Sequence, residues 1–291
     1  MTAPLQTTED AVHWCTAQFS QHDLYYGHGT DNPADEAYFL VWTLCDLLFS
    51  GEPELFARRL TAVQLERIRT VTAQRIATRQ PLAYLLNIAW FAGYEFYVNE
   101  HVLVPRSPIA ELIGTAYQPW VDPAQVRHVL EIGTGSGCIA IASALALPDA
   151  QVDAVDISPE ALAVAQRNVE HYELQARVTL HQADVFAGLP QKPYDLIVSN
   201  PPYVDAADIA AMPAEFQAEP ILGLQAGDDG LDIVRRILAA APDYLAENGV
   251  LIVEVGNSAP ALEAAFPDVP FTWLDFDYGG QGVFLLNRQD L

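Results

Sequence analysis

Four residues, Asn200-Pro201-Pro202-Tyr203, directly follow a short apolar segment of the chain. Because each proline fixes its own φ angle, the carbonyl groups beside the two prolines point in set directions. The Asn200 side-chain oxygen and the Pro201 carbonyl oxygen can then both accept hydrogen bonds from a single NH2 group. Tyr203 offers a flat aromatic face on which a planar group can stack. The alternative interpretation is an ordinary turn after a strand, since Asn and Pro are common turn residues.

The chemistry that suits such a segment is methylation of an amide or aniline-like nitrogen. The lone pair of this nitrogen is delocalised, which makes the nitrogen a poor nucleophile. Two acceptors that hold both of its hydrogens aim it and stabilise positive charge as that charge develops, and positioning supplies much of the remaining rate. No base has to act before transfer. We predict that the whole segment is catalytic and that Asn200, Pro201 and Tyr203 contact the substrate.

A glycine-rich segment, EIGTGSG at residues 131–137, lies between a predicted strand and a predicted helix. Glycines allow a sharp turn and a close approach of a ligand to the backbone. Ligands of open α/β sheets bind beyond the carboxyl ends of the strands. The spacing is G-x-G-x-G and not the dinucleotide pattern G-x-G-x-x-G. Its position favours a nucleotide-like ligand over a purely structural turn.

Two acidic residues follow the next two predicted strands. Asp156 lies about 20 residues beyond the glycines, where a carboxylate can accept from both hydroxyl groups of a ribose. Asp184 follows the third strand and could accept from an adenine amino group, although a surface loop or a helix cap would explain it equally well. A glycine loop and two aspartates on three consecutive strand ends are hard to explain by chance. Together they predict a nucleotide-like ligand.

The predicted elements divide the chain into three segments. Residues 1–88 have helical patterns, and we expect a small substrate-recognition domain there. Residues 89–106 are rich in aromatic and β-branched residues around Asn99-Glu100, which predicts a linking β-hairpin. Residues 107–291 alternate strands and helices. This alternation predicts an α/β fold with a doubly wound, mostly parallel sheet that forms the catalytic domain.

Seven strands are expected in the sheet of the catalytic domain. We place them at 127–132, 152–156, 178–181, 195–199, 250–255, 271–275 and 283–287. The glycines of residues 279–282 predict a hairpin turn between the last two strands.

The N-terminal segment holds a cluster of arginines. Six of the 14 basic residues lie there: Arg58, Arg59, Arg67, Arg69, Arg75 and Arg79. We favour a solvated helix face as the explanation. The alternative is a contact surface for an acidic or RNA-bearing partner.

The chain is strongly acidic, with 38 Asp+Glu against 14 Lys+Arg and a formal net charge of -24. Sequence-independent binding to nucleic acid depends on Lys and Arg that neutralise phosphates. The charge therefore argues against DNA as a partner and favours a basic one. The alternative is that the acidic excess only keeps the protein soluble.

Three cysteines, Cys15, Cys45 and Cys138, are far apart and include no CxxC pair, so neither a disulfide framework nor a metal site is expected. The N-terminus lacks the pattern of a secretory signal. The longest apolar stretch, residues 37–49, is interrupted by Asp46 and is too short to cross a bilayer of roughly 30 Å. We therefore expect a cytoplasmic protein that does not interact with a membrane.

Residues 131–137, Asp156 and the Asn200–Tyr203 segment resemble class I S-adenosylmethionine-dependent methyltransferases of the N-P-P-Y group. With its helical N-terminal segment, its hairpin and its final G-G-x-G-V-F, the whole chain is similar to the HemK/Prm family of glutamine methyltransferases. The resemblance implies S-adenosyl-L-methionine as donor, S-adenosyl-L-homocysteine as product and a glutamine amide nitrogen as acceptor. It implies donor contacts at Glu131, Gly133, Thr134, Gly135, Gly137, Asp156, Ile157, Asp184, Val185 and Asn200.

Segments 104–111 (VPRSPIAE) and 27–32 (GHGTDN) are similar to the PrmB branch of that family, which methylates the third protein of the large ribosomal subunit. The release-factor branch instead carries P-R-P-[DE]-T-E after the hairpin and a tryptophan where Val185 stands. The resemblance implies a basic ribosomal protein as substrate, free or in an assembling large subunit, and Arg106 as a substrate contact. Three alternatives stay open: a release-factor glutamine methyltransferase, a nucleic-acid adenine amino methyltransferase, and a non-catalytic ribosome-assembly factor.

Overall fold

The structure is a computed structural model that describes residues 5–291. Packing divides the chain into two compact units. The first unit contains the described residues up to Ile88 and also Pro213–Ala218, whereas the second comprises Ala89–Met212 and Glu219–Leu291. Our division of the sequence did not anticipate that a segment just beyond the N-P-P-Y residues would join the N-terminal unit.

The first unit is helical. Its helices are α1 (Thr8–Ser20), α2 (Pro33–Leu44), α3 (Pro53–Phe56), α4 (Ala62–Thr78) and α5 (Leu82–Leu86). The Asn32 side chain caps α2 by accepting from the backbone N–H groups of residues 34 and 35, as its position before a proline predicts. Phe19, Leu40, Trp42 and Ile68 are completely buried in the unit's core. Within residues 5–291 no helix has the length and apolar character of a membrane span.

Arg75 is completely buried in this unit, so both of our interpretations of the arginine cluster are wrong for this residue. Its Nε donates to Glu36 Oε1 at 2.7 Å, and one terminal nitrogen donates to the Tyr25 carbonyl at 2.9 Å. Another nitrogen lies 3.5 Å from Glu215 Oε1, and Glu215 also accepts from Arg79 at 3.1 Å. Because Glu36 and Glu215 are buried too, the guanidinium group and the carboxylates neutralise each other inside the unit.

A β-hairpin follows, with strands β1 (Ile88–Phe91) and β2 (Tyr94–Tyr97). The chain reverses at Ala92 and Gly93, which have φ values of 50° and 82°. Positive φ at both central residues is what a two-residue type I′ turn requires. Our expectation of a hairpin centred on Asn99-Glu100 is therefore wrong, because that pair lies beyond the second strand.

The second unit contains a seven-stranded sheet. Its strands are β3 (His128–Ile132), β4 (Gln151–Asp156), β5 (Val178–Gln182), β6 (Tyr194–Ser199), β7 (Leu245–Glu254), β8 (Thr272–Trp273) and β9 (Val283–Asn287). Their order is β5-β4-β3-β6-β7-β9-β8. The first four pairings are parallel, and β9 runs antiparallel to both of its neighbours. The predicted mostly parallel, doubly wound sheet is confirmed.

Helices and two apolar cores surround this sheet. The helices of the unit are α6 (Ile109–Gly114), α7 (Cys138–Ala146), α8 (Pro159–His171), α9 (Ala206–Ala211), α10 (Asp232–Tyr244) and α11 (Ala259–Ala265). Side chains alternate between the two cores along the inner strands, so that Val129 packs in one and Leu130 in the other. Strands that are buried on both faces read as continuous apolar runs, as in the segment of β6 before Asn200.

The last two strands differ from our expectation. β8 has only two residues, so the predicted strand 271–275 is too long, and residues 279–282 do not form a tight hairpin. The chain instead turns at Asp277 and Tyr278, whose backbone N–H groups donate to the Glu111 carboxylate at 2.9 Å. A Cβ on Gly280 would approach Pro108 to 2.8 Å, and one on Gly282 would clash with neighbouring backbone atoms. Close packing therefore explains these two glycines.

Candidate functional site

The topology places the two predicted chemical segments next to each other. The chain proceeds from β3 to β4 and β5 and then returns to β6 on the other side of β3. Such a reversal opens a crevice between the carboxyl ends of the two central strands. Ile132 pairs with Ser199 at these ends, and a Cβ on Gly133 would lie 3.9 Å from the Asn200 carbonyl oxygen. The glycine loop therefore lies against the N-P-P-Y segment.

The glycine loop has a backbone that favours glycine. Gly133, Gly135 and Gly137 have φ values of 75°, 53° and 81°, in the left-handed region. Apart from its two chain neighbours, no residue of 5–291 has a heavy atom within 4 Å of the position that a Gly135 Cβ would occupy, whereas a Gly137 Cβ would lie 3.2 Å from Ala165. Gly137 thus allows α7 and α8 to pack closely, and Gly135 leaves open space above the loop.

Glu131 lies beneath this loop and is almost completely buried. Its Oε2 accepts from the Thr134 hydroxyl at 2.5 Å and from the Ala140 backbone N–H at 2.9 Å. Burial raises the pKa of Glu131 to about 8 despite these bonds. The side chain joins the loop to the start of α7, and direct contact between Glu131 and the donor stays a prediction.

Asp156 closes the loop from the end of β4. Its Oδ2 accepts from the Gly135 N–H at 2.8 Å, and its Oδ1 accepts from the Ser158 N–H at 3.0 Å. A carboxylate retains acceptor capacity beyond two such bonds. Burial raises the pKa of Asp156, although three backbone N–H groups oppose this rise. The neighbouring Ile157 side chain is 48% exposed, which leaves an apolar surface beside the carboxylate.

Asp184 and Val185 lie in a bend after β5. Asp184 is half-exposed and forms an ion pair with Arg236 at 2.8 Å, so part of its acceptor capacity is already in use. Val185 is buried and has a φ of 58°, which is a rare conformation for a β-branched residue. Their contact with an adenine ring stays a prediction.

The N-P-P-Y segment is held at its tyrosine and not at its asparagine. Asn200 is half-buried, and its side-chain amide forms no hydrogen bond with any residue of 5–291. The Tyr203 hydroxyl donates to Glu254 Oε1 at 3.0 Å. The backbone carbonyl of Tyr203 accepts from the Ser258 hydroxyl at 2.8 Å. A Cβ on Gly256 would come within 2.6 Å of the Tyr203 ring, so the ring lies directly on the backbone there.

Arg106 is directed at a protein carboxylate. Its two terminal nitrogens donate to the two carboxylate oxygens of Glu219 at 2.7 and 2.6 Å. The buried Glu219 also accepts from the Val104 N–H at 2.9 Å. This bidentate pair neutralises the charge that we assigned to substrate binding. A substrate contact at Arg106 stays a prediction, and the ion pair gives the residue a structural role.

Comparison with known proteins identifies the family. The methyltransferase small domain family matches residues 118–217. The ribosomal protein uL3 glutamine methyltransferase of Francisella tularensis is 46% identical over 99% of this chain and 92% of its own length. The chain belongs to the uL3 glutamine methyltransferase family. The enzyme of the same name from Bordetella pertussis is also 46% identical, over 99% of this chain and 97% of its own. The expected HemK/Prm membership and enzyme class are confirmed.

A solved structure confirms the fold. The catalytic domain of hMettl16, in complex with MAT2A 3'UTR hairpin 6, matches 79% of this chain and 84% of its own, with a TM-score of 0.50 and 18% identity. At this identity the likeness shows only that the uL3 glutamine methyltransferase family has the class I methyltransferase fold.

The site of this family member also contains side chains that our sequence analysis did not single out. Glu254 stands at the end of β7, as Asp156 stands at the end of β4. An acid at the carboxyl end of an apolar strand is a signal that we used for Asp156 and could have used for Glu254. Ser107 and Glu219 had no such signal, because their importance depends on which distant residues they meet.

Proposed function

We propose that this protein transfers a methyl group from S-adenosyl-L-methionine to the side-chain amide nitrogen of a glutamine in ribosomal protein uL3. The observation that carries the proposal is the Asn200 amide, which has no partner within residues 5–291 and lies beside the glycine loop. Because the amide is half-buried and not fully buried, it stays accessible to a ligand. The Asn200 side chain lies at the topological switch point, where ligands of such sheets bind. Its amide oxygen can therefore accept a hydrogen bond from a substrate NH2 group.

The residues of the loop fit the donor. Asp156 has acceptor capacity for ribose hydroxyl groups, and its charge would disfavour a phosphate at the same place. The open space above Gly135 and the exposed Ile157 provide room and an apolar surface. When bound, the donor supplies an electrophilic methyl group and leaves as S-adenosyl-L-homocysteine. Asp184 and Val185 would lie toward its adenine, and Glu131 would hold the loop from below.

The N-P-P-Y residues would bind and orient the acceptor. The Asn200 oxygen and the Pro201 carbonyl would each accept one amide hydrogen, which turns the nitrogen toward the donor. The same acceptors stabilise the positive charge that develops on nitrogen. Tyr203 would cover the flat face of the amide, and Pro202 keeps the backbone between them rigid. After transfer the positively charged amide nitrogen loses a proton to solvent, so no base is required in the site.

The net charge and the names of the relatives support the partner. Ribosomal proteins that contact RNA are basic, and a chain of net charge -24 attracts them and not nucleic acid. The relatives are named for uL3, which favours this substrate over a release factor. We expect uL3 to be methylated in the cytoplasm, either free or in an assembling large subunit. The helical segment 1–88 would help to select it.

The experiment compares Asn200→Ala with Asn248→Ala, which changes an exposed asparagine near the opposite end of β7. Methyl transfer to purified uL3 is measured with labelled donor, and the modified residue is identified by mass spectrometry. We expect Asn200→Ala to lose about 100-fold or more in kcat and to retain its donor affinity by calorimetry. The control should match the parent protein. Full activity of Asn200→Ala would refute the site, and labelling of release factor or free RNA instead of uL3 would refute the substrate.

A further inference from the structure

We propose that Glu254 is a positioning residue for methyl transfer, which fixes the ring of Tyr203 through the tyrosine hydroxyl group. The inference rests on the proposed function, because it assumes that Tyr203 covers the substrate amide. Glu254 is not itself placed to touch the substrate, since it lies on the far side of the tyrosine hydroxyl and is 4% exposed.

Both oxygens of Glu254 are occupied by hydroxyl groups from other parts of the chain. Oε1 accepts from Tyr203 at 3.0 Å, and Oε2 accepts from Ser107 at 2.5 Å. Ser107 lies in the 104–111 segment, and Glu254 ends a central strand. A buried carboxylate that accepts two hydroxyl hydrogen bonds is a rigid anchor, because losing either bond leaves a desolvated oxygen.

The remaining contacts of Tyr203 make this anchor decisive for the ring. The ring packs against Gly256, where an added Cβ would come within 2.6 Å of it, and the Tyr203 carbonyl is held by Ser258. The Gly256 backbone limits rotation of the ring about its own axis. The hydroxyl oxygen lies on that axis, so its bond to Glu254 fixes the direction in which the axis points. The two contacts together hold the ring on which an amide can stack.

The groups that face Glu254 determine when it can act as an anchor. Burial raises its pKa to about 7, while the Ser107 and Tyr203 hydroxyls and the Arg106 charge oppose the rise. Arg106 is itself paired with Glu219. Above this pH the carboxylate accepts from both hydroxyls. Below it, the protonated acid must donate in one of the two bonds, so the anchor is strongest on the alkaline side.

The experiment compares Glu254→Ala with Glu254→Gln. The glutamine oxygen can accept from Tyr203 while its NH2 group donates to Ser107, as in the protonated acid, so we expect Glu254→Gln to match the parent below pH 7 and to lie between the parent and Glu254→Ala at pH 8. The alanine variant should lose roughly 10- to 100-fold in kcat/KM for the protein substrate, the value of a hydrogen bond to a charged group. Donor affinity, measured by calorimetry, should stay within about 2-fold in both variants, since neither touches the donor loop.

The pH profile separates positioning from a merely structural role. The parent protein should show a rise in kcat/KM through about pH 7, and Glu254→Gln should lack this rise. Two matched controls should keep it. Tyr194→Phe removes another buried tyrosine–carboxylate bond, to Asp153 at 2.9 Å, and Glu263→Gln changes an exposed carboxylate that accepts from Trp273.

A double-mutant cycle tests whether Glu254 acts through the hydroxyl. Tyr203→Phe keeps the ring and removes the bond, so the variant that combines it with Glu254→Ala should lose no more than the worse single variant. Additive losses, a parent-like Glu254→Ala, or a persistent rise in Glu254→Gln would overturn the proposal. Asn200→Ala, assayed in parallel, separates the two claims: its full activity would refute the proposed function, whereas the cycle reports on Glu254 alone.

Discussion

Acidic side chains near the ends of three strands occupy three different environments in this site. Glu131 is buried under the glycine loop, Asp156 keeps acceptor capacity toward open space, and Glu254 anchors a tyrosine. The sequence shows an acid near the end of an apolar run in each case. Which way each carboxylate points depends on neighbours that are distant along the chain, so sequence patterns predicted the existence of the acids better than their separate roles.

Glu131 allows a prediction about stability and pH. Its pKa is about 8 in the folded protein, which lies above the ordinary value of about 4.3. The folded state therefore holds a proton that the unfolded chain has lost between these values. The stability contributed by this group is fully present below about pH 4 and is lost as the pH rises toward 8.

Replacement of Glu131 by Gln removes this proton linkage and leaves an amide oxygen to accept from Thr134 and Ala140. We expect the stability of Glu131→Gln relative to the parent to increase from pH 5 to pH 8, by at most about 1.4 kcal/mol per pH unit. Urea unfolding at a series of pH values measures the difference. The exposed carboxylate of Glu247 provides a control, since Glu247→Gln should show no comparable trend.

Elements with strong local signals were predicted well. The expected strands 152–156, 178–181 and 195–199 agree with β4, β5 and β6 to within one residue at each end, because short apolar runs bounded by turn residues are local signals. The hairpin was misplaced because its turn uses Ala92, a residue rarely found at positive φ. The return of Pro213–Ala218 to the N-terminal unit depends on the buried partners of Glu215, which no local pattern reveals.

Asn168 connects two of these elements to the donor loop. It is buried in α8, where its Nδ2 donates to the Ser136 carbonyl at 2.8 Å and to the Tyr97 carbonyl at 3.0 Å. Its Oδ1 accepts from the Tyr97 N–H at 2.8 Å. One side chain thus joins the hairpin to the backbone of the glycine loop, and its removal leaves one buried backbone group, at Ser136, and two partly buried ones, at Tyr97, without this partner.

We expect Asn168→Ala to lower the free energy of unfolding by about 1–3 kcal/mol, the penalty for unsatisfied buried groups. It should also weaken donor binding, because the Ser136 carbonyl no longer holds the loop in place. Thermal unfolding and calorimetry measure the two effects. Gln166→Ala, on the exposed side of the same helix, should change neither quantity by more than a small amount. Donor affinity equal to the parent in Asn168→Ala would contradict the role assigned to this side chain.

On the scale of the whole molecule, a buried ion-pair network organises the N-terminal unit. Arg75 contacts Glu36 and Glu215. Glu215 lies in Pro213–Ala218, the segment that belongs to the N-terminal unit although it lies within the catalytic part of the sequence. Deletion of residues 1–88 would therefore remove Arg75 and Arg79, the partners of Glu215, and leave the Glu215 carboxylate unpaired. Point substitution is the cleaner test of this unit.

Arg75→Met keeps an unbranched apolar stem and removes the guanidinium group with its charge. We expect a loss of about 3–5 kcal/mol in unfolding free energy, because breaking a buried pair leaves an uncompensated charge on Glu36. Arg69→Met, on the exposed side of α4, should change stability by no more than about 0.5 kcal/mol. Denaturant unfolding of both variants measures the contrast, and a difference below about 1 kcal/mol would mean that the network contributes little.

The charge of the whole chain leads to a prediction about encounter with the substrate. A net charge of -24 should attract a basic ribosomal protein over a distance that salt shortens, since the Debye length is about 10 Å at 0.1 M and about 3 Å at 1 M. We expect kcat/KM for intact uL3 to fall by about 10-fold or more as salt rises across this range, through the association step. A short, uncharged peptide that contains the target glutamine should react more slowly but with little salt dependence, because it lacks the charges on which attraction acts. Equal salt dependence for protein and peptide would place the effect of salt in the site itself, and the acidic surface would then have no part in selecting the substrate.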